Sequence, residues 1–217
     1  MITDRDSITL KEQVIFQGGQ EGKRVWEAGI AISRYIISNK GLFQGKAILD
    51  LGSGTGIGAL TLMKFTEAQK VILSDYTEEI LELLTQNRAL QPRSQVAVDT
   101  KLVDWTIQET YEQLYEVKID FVIATDVIYK GSPYDHLATL LYILAEKQNP
   151  RILIIIPRQR DCCQDFLRIM KEKGFNWTET ELNDNLYSQK ALENQKDSDK
   201  FYPGLKSLNF VLYTFNL

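Results

Sequence analysis

The chain has 217 residues, 44% of them hydrophobic and 25% charged, a balance that suits one α/β domain with a sizeable core. Its 25 Lys and Arg against 29 Asp and Glu leave a net charge of −4, which excludes a general electrostatic pull toward nucleic acid or an anionic membrane. No run approaches the ~20 apolar residues of a membrane span, and the start MITDRDSITL lacks the apolar core of a signal peptide.

After an N-terminal extension (1–21), GKRVWEAGIAISRYIISNK (22–40) predicts a helix with Val25, Trp26, Ile30, Ile32, Tyr35 and Ile36 along an apolar stripe. KAILDL (46–51) is a short strand, and residues 55–67 return to helical spacing. KVILSD (70–75) is a second strand, followed by the helix TEEILELLTQNRAL (77–90) with Thr77 as N-cap, Glu in its first turn and Pro92 beyond its end. VAVDTKLVD (96–104), IDFVIATDVIY (119–129) and RILIIIP (151–157) supply three more strands, apolar enough to need cover on both faces. Between the last two, SPYDHLATLLYILAEKQ (132–148) predicts a helix capped by Ser132 with Pro133 at its first position.

DCCQDFLRIMKEKG (161–174) is a further helix, ended by Gly174. Its adjacent Cys162 and Cys163 cannot form an ordinary structural disulfide and are the only cysteines, which points to a reducing compartment, the cytoplasm or the nucleus. His136 is the single histidine, a helix-surface residue on this reading, and no metal site is expected. NWTETEL (176–182) and LNFVLYTFNL (208–217) read as an antiparallel hairpin at the sheet edge, joined by a polar insertion near 183–206. We therefore expect one α/β domain over 1–217, a Rossmann-like doubly wound sheet of seven strands, mostly parallel, with its core at 46–157 and its C-terminal strands in 176–217.

ILDLGSGTGIGAL (48–60) joins the first core strand to the next helix, and its glycines point to a ligand, the alternative being a plain turn in which four glycines would cost stability without compensation. A phosphate-binding P-loop needs Lys and then Ser or Thr after its last glycine; Ile57 and Gly58 follow Gly56, which excludes that mode. The dinucleotide fingerprint spaces glycines as G-x-G-x-x-G, whereas Gly52, Gly54 and Gly56 fall at every second residue, so the spacing alone leaves a nicotinamide cofactor open. Asp50 and Asp75 sharpen the choice, since both stand at the carboxyl edge of neighbouring strands, the usual ligand crevice. Asp50 can meet a cationic amino group and would repel a pyrophosphate, while Asp75 can accept from both ribose hydroxyls. Asp104 and Trp105 add a polar contact and an aromatic edge for an adenine. The ligand with a cationic end, a ribose and an adenine is S-adenosylmethionine. Plainer roles remain open: Asp75 as a helix-capping acid before Thr77, Asp104 as a loop acid.

LDLGSGTGIGAL, LSDYTEEILELLTQN and VDW resemble the first three motifs of the seven-strand S-adenosylmethionine-dependent methyltransferases. TDVIY (125–129) resembles the Asp-x-x-Tyr signature of the protein-lysine methyltransferases called family 16. GKRVWEAGIAISRYI, PYDHLATLLYIL and IIIPRQRDCCQDFLRIMKEKGF are similar to that family's pre-core helix, the segment after its signature, and its fifth strand with the following helix. The resemblance implies cofactor contacts at Trp26, Asp50, Gly52, Ser53, Gly54, Gly56, Asp75, Tyr76, Asp104, Trp105 and Thr125, with Asp126 and Tyr129 catalytic. It also implies a protein substrate, such as a chaperone or a translation factor, and we expect a monomer without stable nucleic-acid binding. The few residues before the pre-core helix argue against substrate selection by an N-terminal extension.

Methyl transfer to an amine needs a neutral nucleophile, and lysine with an ordinary pKa of ~10.4 must lose a proton first. Asp126 is expected to receive and orient the ammonium, and Tyr129 to line an aromatic channel for the methylene stem. The plainer roles are Asp126 as a helix cap and Tyr129 as core. Enzymes that methylate amino groups of nucleic-acid bases usually carry Asn/Asp-Pro-Pro-aromatic here; Asp126-Val-Ile-Tyr129 has no proline. A methyltransferase for a small molecule or nucleic acid, a non-catalytic binding module and a nicotinamide oxidoreductase are the competing readings.

Overall fold

A computed structural model of the chain describes residues 7–13, 21–182, 202, 205 and 208–217. The described strands are β1 (Ala47–Leu51), β2 (Lys70–Asp75), β3 (Ala97–Leu102), β4 (Phe121–Thr125), β5 (Arg151–Pro157), β6 (Asn176–Glu181) and β7 (Phe210–Asn216). They form one seven-stranded sheet in the order β3-β2-β1-β4-β5-β7-β6. β1 to β5 pair in parallel, and β7 runs antiparallel to both β5 and β6. This is the doubly wound, mostly parallel sheet with a C-terminal hairpin that the alternation of elements predicts.

The strands are apolar on both faces because both are covered. Ile48, Val71, Leu73, Ile123 and Ile155 face one buried cluster, shared with α1 (Glu27–Ser38), α2 (Ile57–Phe65) and α3 (Glu78–Ala89). Their neighbours Leu49, Ile72, Val122, Ile154 and Ile156 face the other, where α4 (Gln108–Tyr111), α5 (Tyr134–Gln148) and α6 (Cys163–Glu172) contribute. Each such fully buried aliphatic side chain stabilises the fold by about 1.5–3 kcal/mol before entropy is counted. The edge strand β6 is mostly exposed, and Glu179 and Glu181 on it pair with Arg158 at 3.4 and 3.0 Å, charges that discourage pairing with another chain.

Several boundaries differ from expectation for local reasons. The pre-core helix starts at Glu27, not near residue 22, and Trp26 precedes it in an extended conformation. β4 stops at Thr125 because Asp126 takes a left-handed backbone (φ 53) that a strand cannot hold. Thr77 caps α3 as expected, its hydroxyl accepting from the Ile80 N–H at 3.3 Å. Ser132 does not cap α5: that helix begins at Tyr134 behind Pro133, and the Ser132 hydroxyl turns back to the Tyr129 backbone instead. The insertion predicted near 183–206 lies, apart from residues 202 and 205, outside the described residues.

Candidate functional site

Strand order reverses between β1 and β4, and the carboxyl ends of the parallel strands border a cavity of about 370 Å³, the position and size expected of a small-molecule site. Its floor is the loop between β1 and α2. Gly52 and Gly54 adopt left-handed conformations (φ 67 and 54). A Cβ on Gly52 would lie 2.9 Å from Val127, and one on Gly54 would lie 3.0 Å from the Gly22 carbonyl oxygen. Side chains there would collide with the cavity's own walls.

A hydrogen-bond lattice fixes this loop to β2. The Ser53 N–H donates to the Ser74 carbonyl at 2.9 Å, the Ser53 hydroxyl donates to the Asp50 carbonyl at 2.9 Å, and the Ser74 N–H donates to the Ser53 hydroxyl at 3.0 Å. Asp75, at the end of β2, accepts from the Gly54 N–H and the Tyr76 N–H, each at 2.9 Å. Burial raises the Asp75 carboxyl above the usual range, opposed by those two N–H donors. From the far side, the buried Asn87 side chain on α3 donates to the Thr55 carbonyl at 2.9 Å.

Asp50 and Gly56 do not reach the cavity wall. Asp50 is 4% exposed, its carboxylate tucked beneath the start of α2 near Gly58. Burial pushes that carboxyl up to about 7, helped by the charge of Asp75 and opposed by hydrogen bonds from Ser53 and the Ala59 backbone. Gly56 precedes α2 with φ 85, in a space where a Cβ would meet Leu84 at 2.8 Å. Trp26, Gly52, Ser53, Gly54, Asp75, Tyr76, Asp104, Trp105, Thr125, Asp126 and Tyr129 all line the cavity together. The Arg24 guanidinium lies 4.7 Å from the Trp26 ring centre on the same wall. One Asp104 carboxylate oxygen is engaged locally, accepting from the Thr106 N–H at 2.9 Å and its hydroxyl at 2.6 Å.

Across the cavity, Asp126 is held by Arg160, which lies in the segment resembling the family's fifth strand and following helix but whose pairing with Asp126 the sequence did not disclose. Arg160 donates from Nε to one Asp126 oxygen at 2.9 Å and from Nη2 to the other at 2.7 Å, a bidentate pair. Burial raises the Asp126 carboxyl, Arg160 opposes the rise, and the charge of Glu27 adds to it. The same pairing raises Arg160, which stays cationic. Tyr129 is steadied by Ser132, whose hydroxyl donates to its carbonyl at 2.9 Å and accepts its N–H at 3.1 Å.

The signals for the residues overlooked were present but ambiguous. Arg160 follows the carboxyl end of β5, the edge where ligands gather. Asn87 is an amide in the buried stripe of α3 beside Leu83 and Leu84, an environment where a polar group must find partners. Ser132 carried a capping signal that its pairing with Tyr129 superseded.

A family model described as lysine methyltransferase matches residues 2–173. The chain is 32% identical over 185 residues to the protein-lysine N-methyltransferase EFM3 of Chaetomium thermophilum, covering 81% of this chain and 55% of that protein. It is 29% identical over 187 residues to the human protein-lysine N-methyltransferase EEF2KMT, covering 79% of this chain and 56% of the relative. Arabidopsis thaliana calmodulin-lysine N-methyltransferase is 25% identical over 162 residues, 73% of this chain and 53% of the relative. The chain thus spans a little over half the length of these curated relatives. Among solved structures, Synechocystis magnesium protoporphyrin IX methyltransferase with bound SAM superposes with a TM-score of 0.58 at 17% identity, covering 99% of this chain and 90% of that one.

Proposed function

We propose, for a chain that belongs to the lysine methyltransferase family, that the cavity binds S-adenosylmethionine and that the enzyme transfers its methyl group to a lysine ε-amine of a protein. One observation carries the reading: Asp126 and Tyr129 open onto the same cavity as Gly52, Gly54 and Asp75, so an amine and a methyl donor would meet there.

The residues present fit this cofactor. The missing side chains at Gly52 and Gly54 leave backbone open to close approach. Asp75 has two N–H donors on a carboxylate that offers about four acceptor positions, which leaves capacity for a ribose diol. Trp105 and the half-exposed Tyr76 present aromatic surface at the adenine end, while Asp50 acts through the loop it supports. When bound, S-adenosylmethionine supplies an electrophilic methyl group on a sulfonium. Asp126 orients the ε-amine, and Tyr129, anchored by Ser132, walls the channel for the lysine stem.

A protein substrate, with chaperones and translation factors as the first class to test, follows from relatives named for protein-lysine methylation. We take the enzyme to be a monomer of the cytoplasm or the nucleus that makes no stable nucleic-acid complex, in keeping with free Cys162 and Cys163 and a net charge of −4. Among the described residues no helix is long and apolar enough to cross a membrane.

Incubating a cell extract with methyl-labelled S-adenosylmethionine tests the activity: a labelled protein band is expected, and label confined to small molecules would redirect the assignment. An Asp126→Ala protein should bind the cofactor and lose transfer; full activity in that variant would remove Asp126 from the reaction.

A further inference from the structure

Asp126 and Arg160 meet from the carboxyl ends of two neighbouring strands. The Asp126 N–H donates to the Ile155 carbonyl on β5 at 3.0 Å, while the Arg160 N–H donates to Pro157 at 3.0 Å and its carbonyl accepts from Cys163 at 3.1 Å. Backbone hydrogen bonds thus hold the main chain of both partners independently of their side-chain pairing. The Asp126 side chain is 6% exposed and that of Arg160 35%. Asp126 borders the cavity, and Arg160 stands behind it, outside the lining.

That placement matters for an amine that must shed a proton. A buried carboxylate with no counter-charge holds an ammonium in its charged form and so opposes formation of the nucleophile. Glu27 on α1 is a second acid acting on both members of the pair, and Cys162 at the entry of α6 is the other titratable group acting on Arg160. We propose, resting on the reading of this cavity as a lysine-methylation site, that Arg160 is a positioning residue that neutralises Asp126. The carboxylate can then orient the ε-amine without trapping it as an ammonium. The ammonium N–H bond breaks and its proton passes to bulk water. The amine lone pair then forms the new N–C bond, while the electron pair of the broken C–S bond stays on sulfur.

The pH dependence of transfer distinguishes this role from a purely structural one. The probe is the most strongly labelled protein band of an extract from cells lacking the enzyme. Initial rates are measured from pH 6.5 to 10 at saturating labelled S-adenosylmethionine, with cofactor affinity checked by calorimetry. Arg160→Gln leaves Asp126 uncompensated, so the midpoint of the profile should move alkaline by at least about one pH unit. That is about tenfold in rate near neutrality, recovered at high pH. Arg160→Lys keeps the charge and should retain the wild-type midpoint, whatever its maximal rate. An equal fractional loss at every pH in Arg160→Gln, or a midpoint in Arg160→Lys displaced as far as in Arg160→Gln, would overturn the inference. Should Arg160→Gln fail to bind cofactor, Glu27→Gln decides. Removing that acid should move the midpoint toward acid, and an unchanged or alkaline midpoint would overturn the role. Failure of the wild-type enzyme to label any protein would overturn the underlying lysine reading, and this inference with it.

Discussion

Asp50 is an acid placed where its charge is costly, and Asp50→Asn should expose that cost. Folding takes its carboxyl from the ordinary 3.8 to about 7. The folded chain therefore holds this proton over a range in which the unfolded chain has released it. The stability contributed by the protonated form is fully present below pH 3.8 and is lost as pH rises to about 7. At 1.36 kcal/mol for each tenfold difference in proton affinity, the whole loss is on the order of 4 kcal/mol, with about 3 kcal/mol falling between pH 5 and pH 8. Asparagine has nearly the same shape and does not ionise. Urea unfolding of the cofactor-free wild type and variant, followed by tryptophan fluorescence at both pH values, isolates the effect, because the other titrating groups are common to both proteins. The stability difference should shift in favour of the variant by about 3 kcal/mol from pH 5 to pH 8. A difference constant to within about 0.5 kcal/mol would show that the buried carboxylate is already compensated, and the reasoning would fail.

Three further substitutions probe the cavity. Asp75→Ala leaves the Gly54 and Tyr76 N–H groups without their acceptor and removes the proposed ribose contact; cofactor affinity by calorimetry should fall at least about tenfold, and a change under about threefold would contradict it. Gly54→Ala forces a side chain into φ 54 with its Cβ 3.0 Å from the Gly22 carbonyl oxygen. Denaturant titration should show about 1–2 kcal/mol of destabilisation with weaker cofactor binding, and an unaffected protein would mean that the loop relaxes freely. Ser132→Ala removes the two hydroxyl hydrogen bonds to Tyr129 and leaves the backbone one. It should cost about 1 kcal/mol of stability and lower kcat at unchanged cofactor affinity; weakened cofactor binding instead would place Tyr129 on the cofactor side.

Much of the architecture was legible because its signals are local. Strand runs such as KVILSD and RILIIIP, the glycines after β1 and the capping Thr77 each declare themselves within a few residues, since strands covered on both faces read as unbroken apolar runs and turn and cap residues sit at fixed offsets from element ends. Asp75 was legible as the acid that ends its strand, where a doubly wound sheet gathers ligands, and Asp126 and Tyr129 through the resemblance of TDVIY to a family signature. Their partners were not. Asp126 and Arg160 are 34 residues apart, Asn87 and Thr55 are 32 apart, and Gly54 and Asp75 are 21 apart. Such contacts exist only once strand order brings β4 beside β5 and β2 beside β1. Ser132 turned from cap to anchor for a local reason: its hydroxyl bonds the Tyr129 backbone three residues back instead of the helix ahead. Sequence by itself determined the elements, the sheet and the residues at its carboxyl edge. Tertiary structure alone decided which charges are paired, because register and crossover set the distances on which a pair depends.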